Sequence, residues 1–355
     1  MFSSLALPWL VLIFAAAGAA VWVAGIELSD TTDVLSTRLG LGQALGGLIL
    51  LAFATNLPEV AITVTAAISH NLGIAIGNIL GGIAIQTAVL VLLDAFGVRT
   101  SPLTYRAASL VLAIEGALVI AMLVVVVMGT RLSPSVIWAR VTPPGLALLA
   151  LWLGGLWLVS RARSGLPWHE SGNPPDGQKE PRGIAMARKD AARKERGHST
   201  ARIALGFGLA ALVTLAGGVF LEESGSGIAG HVGLSGVLFG ATVLAAATSL
   251  PEVSTGLASL KLGDYQLAVS DIFGGNAFLP VLFLVATLVS GDAVLPAAKN
   301  SDVYLTALGA LLTVVYICGL LFRPQRQWLR LGPDSILVLL LYALGIVGLV
   351  AVTHG

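Results

Sequence analysis

Two glutamates stand where a carboxylate is costly. Glu59 lies in ATNLPEV (54–60) and Glu252 in ATSLPEV (247–253), heptads that differ at one position and sit inside long apolar runs. An isolated carboxylate at a bilayer centre costs about 3 kcal/mol on insertion scales. Two that face each other repel, so the pair demands a counter-charge or shared protons. One divalent cation balances it, as do two protons or two sodium ions. Thr55, Asn56, Thr248 and Ser249 offer hydroxyl, amide or carbonyl oxygens beside the four carboxylate oxygens. A hard cation such as calcium takes roughly 6–8 oxygen ligands, and this inventory suffices. HExxH, CxxC and Cys/His clusters are missing, which argues against zinc, copper or iron chemistry. Cys318 is the single cysteine, so no intramolecular disulfide forms. The five histidines (70, 169, 198, 231 and 354) fall at span ends, in loops or at the terminus and are expected at the surface.

The proline before each glutamate positions it. Pro58 and Pro251 lack an N–H and their rings clash with the carbonyl four residues back, so each breaks its helix and frees carbonyls near Ala54, Thr55, Ala247 and Thr248. Such groups inside a membrane must be satisfied by protein, water or an ion. Each glutamate then opens the half-helix beyond its break.

The surrounding elements are membrane spans. The chain has 355 residues, 56% hydrophobic and 11% charged, with mean hydropathy +0.90; soluble domains carry about 25% charged residues. Apolar runs long enough to cross a bilayer predict ten helices, at 5–26, 41–69, 72–94, 104–129, 143–160, 201–221, 232–260, 265–290, 303–322 and 335–353. The expected class is an all-α polytopic membrane protein. The first span lacks a basic leader and reads as an uncleaved helix. Asp94 and the Glu222–Glu223 pair fall at span ends and are expected to be hydrated. A net charge of +1 gives no electrostatic case for nucleic acid.

Segment 161–202 carries ten of the twenty basic residues. Placing it on the cytoplasmic side puts seventeen basic residues inside and three (Arg131, Arg140 and Lys299) outside, with both termini external. An inner (plasma) membrane location with a cytoplasmic central loop is expected. Within that loop SGNPPDGQKEPRG (171–183) reads as a flexible linker, and the following basic stretch as a solvated tether or a short helix on the lipid surface. The organisation expected is a first five-helix repeat at 1–160, a basic linker at 161–200 and a second repeat at 201–355.

The halves repeat each other. With Glu59 aligned to Glu252, IAIGNILGGIA (74–84) falls on LAVSDIFGGNA (267–277), Gly81-Gly82 falls on Gly274-Gly275, and Gly47 on Gly240. Copies displaced by five spans cross the membrane in opposite senses. Inverted repeats with broken helices two and seven are a transporter architecture, with the substrate near the midplane.

At these residues the chain resembles the calcium/cation antiporter superfamily, which includes sodium/calcium and calcium/proton exchangers. One motif of that family is close to G-T-S-x-P-E, seen here at 54–59 and 247–252. The other is close to G-N-x-x-G-S-N, seen at GNILGGI (77–83) and SDIFGGN (270–276). The resemblance covers both halves. It implies inverted five-helix repeats, alternating access by sliding of the first and sixth spans, and cation antiport at the glutamates and neighbouring Thr/Ser groups. Asn78, Asp271, Gln86 and Asn276 join the candidate ligands on the same ground. Calcium and sodium or protons would be substrates, with no cofactor and no enzymatic activity; the partners are inorganic cations and the bilayer. Some positions depart from the pattern. The motif serine is Gly82 and Gly275, and the Asn or Asp four residues later is Gln86 and Leu279, which weighs against accessory sodium sites and toward proton coupling. Asp271, where asparagine is usual, adds charge near the site or braces a helix. Glu115, alone in span four, is a candidate for a proton path or a hydrogen-bonded structural group. A magnesium, manganese or potassium exchanger, a channel or an ion-binding homologue without coupled exchange, and an intramembrane enzyme are the competing readings.

Overall fold

A computed structural model describes residues 5–38, 55–98, 101–107, 109–167, 199–261 and 263–354. The first half of span two, with Gly47 and Ala54, lies outside the described residues, as do the linker at 171–183 and its basic stretch, His169 and His198. The first repeat comprises α1 (Leu7–Arg38), α2 (Leu57–Ile68), α3 (Leu72–Gly97), the short α4 (Leu103–Ala107), α5 (Leu110–Gly129) and α6 (Pro143–Ser164). The second begins with α7 (Thr200–Val232). A broken helix follows, made of α8 (Gly236–Phe239), a π-helical turn (Gly240–Leu244), α9 (Ala245–Thr248) and α10 (Leu250–Lys261). Then come α11 (Tyr265–Phe278), α12 (Leu282–Ser290), α13 (Asn300–Phe322) and α14 (Pro333–His354). Nine helical stretches among the described residues are long and apolar enough to span a membrane, and α2 is the half-helix beyond the first break.

The most enclosed spans are α3 and the α11–α12 pair, one from each repeat, and the principal apolar core forms around them. Both carry apolar residues around their whole circumference, as a helix surrounded by other helices does, interrupted by buried polar groups such as Asn78, Gln86, Asp94, Asp271 and Asn276. Where α3 crosses the second broken helix, the backbones touch. A β-carbon on Gly81 would fall onto Ala241 Cα, and one on Gly77 would lie 2.6 Å from the Val237 carbonyl oxygen. Small residues four apart permit this approach, which lipid-embedded helices use in place of hydrophobic burial.

Two helices overrun their expected ends. Span one was expected to stop at 26 and span six at 221, whereas α1 continues to Arg38 and α7 to Val232. No proline or glycine interrupts α1 after Gly25. In α7 the run Ser224–Gly230 is small enough to pack closely. A β-carbon on Gly225 would meet the Phe239 ring at 2.7 Å, and one on Gly227 would meet Leu10 at 3.0 Å. Gly233, at φ +70°, ends the helix by donating its N–H to Ala229. This packing buries Glu222, only 2% exposed, so its expected hydration does not hold. Neither does that of Asp94, which is fully buried. It pins three elements by accepting the backbone N–H of Leu103 and of Gly332, both at 2.7 Å. His70 and His231 are exposed as expected.

α1 and α7 pack along each other and lean across the breaks. A β-carbon on Gly25 would lie 3.0 Å from Pro251 Cβ; one on Gly218 would lie 2.9 Å from the Pro58 carbonyl oxygen. Gly25 and Gly218 occupy equivalent positions in the two repeats, and each rests on the proline of the other. A second pair of repeated features escaped the sequence reading. Trp138–Val141 and Trp328–Leu331 close matching tight turns, with reciprocal N–H···O bonds of 2.8–2.9 Å and positive φ at Ala139, Arg140, Leu329 and Arg330. Each turn precedes the proline that starts the last helix of its repeat.

Candidate functional site

The helix breaks fall at Asn56 (φ −90°, ψ 11°) and Ser249 (φ −81°, ψ 0°), two residues before each proline. The chain recovers helical bonding at once: Val60 N–H reaches the Asn56 carbonyl at 3.1 Å, and Val253 N–H the Ser249 carbonyl at 3.2 Å. Glu59 and Glu252 thus occupy the first turns of α2 and α10, where the helix dipole favours negative charge. They are 0% and 1% exposed.

Gln86 of α3 joins them. Its Nε2 donates to Glu59 Oε1 and to Glu252 Oε1, each at 3.4 Å. The two carboxylates are therefore neighbours, no farther apart than two hydrogen-bond lengths. Both bonds are long for N–H···O, so the bridge is loose. The second oxygen of each glutamate and Oε1 of Gln86 are buried without a hydrogen-bond partner among the described residues. Thr248 lies close to Glu59. Thr248 and Ser249 donate their hydroxyls back to the Ala245 carbonyl, at 3.2 and 2.7 Å, which leaves their oxygen lone pairs available as acceptors. Thr55 and Asn56 are buried beside Glu59 on the approach to α2. Oxygen acceptors that lack donors suit a hard cation.

The motif departures are compensated by packing. A β-carbon on Gly275 would stand 3.0 Å from Asn56 Nδ2 and 3.6 Å from Gln86 Oε1, so two polar side chains occupy the place of the missing serine. On the opposite side, a β-carbon on Gly82 would stand 3.3 Å from Leu279 Cδ1. One half of the pseudo-symmetric site is polar and the other is filled by a methyl group.

The other expected residues are placed more loosely. Asn276 turns toward α3, donating to Thr87 Oγ1 at 3.0 Å and the Ile83 carbonyl at 3.4 Å, while its Oδ1 stays buried without a partner. Asn78 is fully buried, with neither amide atom hydrogen-bonded among the described residues. Asp271 accepts the Thr255 hydroxyl at 2.8 Å, and that hydroxyl also reaches the Glu252 carbonyl at 3.3 Å. It thus sits one link from the pair. Glu115 is not at the pair; it accepts a bond of 2.8 Å from Arg163.

Known proteins confirm the architecture. The sequence pattern of the sodium/calcium exchanger protein family matches residues 9–161 and 202–351. The chain belongs to the sodium/calcium exchanger family. Its curated relatives include the inner membrane protein YrbG of Escherichia coli, 26% identical over 277 residues, 78% of each chain. CaxA of Alkalimonas amylolytica, named as an antiporter, is 28% identical over 297 residues, covering 82% of this chain and 85% of its own. Among solved structures, the sodium–calcium exchanger NCX_Mj superposes with a TM-score of 0.58 at 17% identity, over 95% of this chain and 99% of that one. The H+/Ca2+ exchanger CAX gives 0.64 at 13% identity, over 97% and 87%. At these identities the structural match shows the shared fold: this family member is an integral membrane protein of two inverted five-helix repeats.

Sequence reading missed Arg163, Ser270, Thr255 and Thr87. Thr255 carried a signal, one helical turn after Glu252 on the same face. Arg163 was read only as part of the basic linker end, although an intramembrane Glu115 calls for a counter-charge.

Proposed function

We propose that the chain is a secondary antiporter that exchanges calcium, or a similar divalent cation, for protons or sodium by alternating access. The observation that carries this reading is the sharing of one Gln86 amide between Glu59 and Glu252. In that arrangement the amide stands in, weakly, for a cation between two buried carboxylates. An arriving divalent ion displaces it and takes both glutamates. Thr55, Asn56, Thr248 and Ser249 complete the oxygen shell, and the carbonyl of Gln86 turns inward. Asn78, Asn276 and Asp271 tune the field around it. Departure of the ion leaves two like charges that cannot remain together unbalanced, so counter-ions must load before the cycle resets.

The contact of Leu279 with Gly82 favours protons as those counter-ions. A leucine offers no ligand where an accessory sodium would bind, and protons need no coordination shell. Relatives named as an antiporter and folds seen in calcium exchangers agree with this function. α1 and α7, resting on the two prolines through Gly25 and Gly218, are the elements suited to slide and expose the site to either face in turn.

Flux into proteoliposomes tests the proposal. Calcium uptake should follow an imposed pH gradient and fall to background in both Glu59→Gln and Glu252→Gln. Unchanged flux in either variant overturns it. Uptake driven by sodium and indifferent to pH would retain exchange and reassign the counter-ion.

A further inference from the structure

A second charged cluster lies outside the central pair. Arg163 Nη2 donates to Glu115 Oε1 at 2.8 Å and to Ser270 Oγ at 2.9 Å. Glu115 is 5% exposed, and its Oε2 has no hydrogen-bond partner among the described residues. The three residues come from the second turn of α5, the last turn of α6 and the second turn of α11, so the cluster marks one end of the bundle. From it a polar sequence runs inward. Ser270 is followed by Asp271, whose Oδ1 is also buried without a partner; Asp271 holds Thr255, and Thr255 reaches the backbone of Glu252. The other repeat lacks this sequence: the positions equivalent to Glu115, Ser270, Asp271 and Thr255 are Leu308, Gly77, Asn78 and Ile62.

A buried ion pair in a membrane gains little stability over a well-packed apolar contact, and intramembrane ionisable groups commonly mark ion pathways. Ile114 and Ala162, the chain neighbours of Glu115 and Arg163, line a shallow groove open to the outside, together with Arg161 and Leu166. The Arg163 side chain is itself 28% exposed, so solvent and ions reach the outer side of the pair.

We propose that Glu115 and Ser270 form an outer cation-staging site on the α6-end face, held shut in this structure by the Arg163 guanidinium as a tethered substitute for the ion. This rests on the calcium-exchange reading and adds a polarity to it. A divalent ion approaching from that face competes with Arg163 for Glu115, then moves past Asp271 and Thr255 to Glu252. Among the described residues the opposite face has no equivalent carboxylate held by a guanidinium.

The test uses full-length protein in vesicles of uniform orientation, with calcium alone as the probe and half-saturation measured from each face. Arg163→Gln should lower half-saturating calcium at the α6-end face by about tenfold, and Glu115→Gln should raise it by a similar factor. The opposite face should not change in either. The double variant Glu115→Gln/Arg163→Gln leaves no unpaired charge; it should keep equilibrium calcium binding at the central pair while losing the difference between faces. A pair that merely braces α5, α6 and α11 would alter both faces alike, and that result overturns the staging site. So does an unchanged α6-end face. If the unaltered protein binds no calcium, the exchange reading falls and takes this one with it; if calcium binds but the facial difference is missing, only the staging site falls.

Discussion

Leu279 occupies the room that a side chain on Gly82 would need, its Cδ1 standing 3.3 Å from where a β-carbon would be. The equivalent room beside Gly275 holds Asn56 and Gln86. This broken symmetry has a chemical cost that can be reversed. The double variant Gly82→Ser/Leu279→Asn restores a hydroxyl and an amide on the apolar side. Calcium exchange in it should become sodium-stimulated at fixed pH, by about threefold or more, as coordination by oxygen returns. The single variant Gly82→Ser should clash with Leu279 and lose activity without gaining sodium dependence. Sodium titration of calcium flux separates the two.

Neutralising one glutamate should stabilise the empty protein while disabling it. Above the pH at which protons leave the empty pair, removing one of two adjacent buried like charges relieves repulsion and desolvation, so Glu59→Gln and Glu252→Gln should melt at or above the parent temperature without calcium. The parent should gain stability as calcium rises above its Kd, and the variants should not. Calorimetric melting with and without calcium reads both effects and rules out misfolding as the cause of lost flux.

Gln86 should set affinity in both directions. Gln86→Leu removes the carbonyl oxygen that turns toward the bound ion, and should weaken calcium binding by about tenfold, in line with loss of a group supporting a metal site. Gln86→Glu adds a third carboxylate; it should tighten divalent binding and slow turnover through slower release. Equilibrium binding and maximal flux, measured together, should move in opposite senses in the second variant.

Bulk on the gate helices should stop movement before it stops binding. A β-carbon on Gly218 would already sit 2.6 Å from Ala61 Cβ, so Gly218→Val forces α7 off the α2 surface. Overpacking of this kind costs about 1–3 kcal/mol. Calcium-dependent stabilisation should persist in detergent, while exchange falls at least about tenfold. Equal losses of binding and exchange would assign Gly218 to the site itself.

Much of this was legible in the sequence, because the residues that carry it violate composition. Proline and glutamate are so unfavourable in an apolar helix that two copies of ATxLPEV announce the repeat and single out the two carboxylates that the fold brings together. Hydropathy found the spans but misplaced the ends of α1 and α7, since those ends depend on contacts such as Gly227 with Leu10 rather than on local propensity. The Gln86 bridge was hidden for another reason. Sequence marked Gln86 as a changed motif position and a candidate ligand, but the bridge depends on two helices from different repeats converging on one amide. Arg163 was disguised by its neighbours: among many basic residues at a linker end, nothing local marks the one that turns back into the membrane.

The crossed seating of Gly25 on Pro251 and of Gly218 on Pro58 binds the two copies into one mechanism. Each of α1 and α7 belongs by sequence to one half and by contact to the other, as with two interlaced hands. Neither half by itself holds both a carboxylate and the helix that covers it. A half cut from this chain would leave its own proline break uncovered.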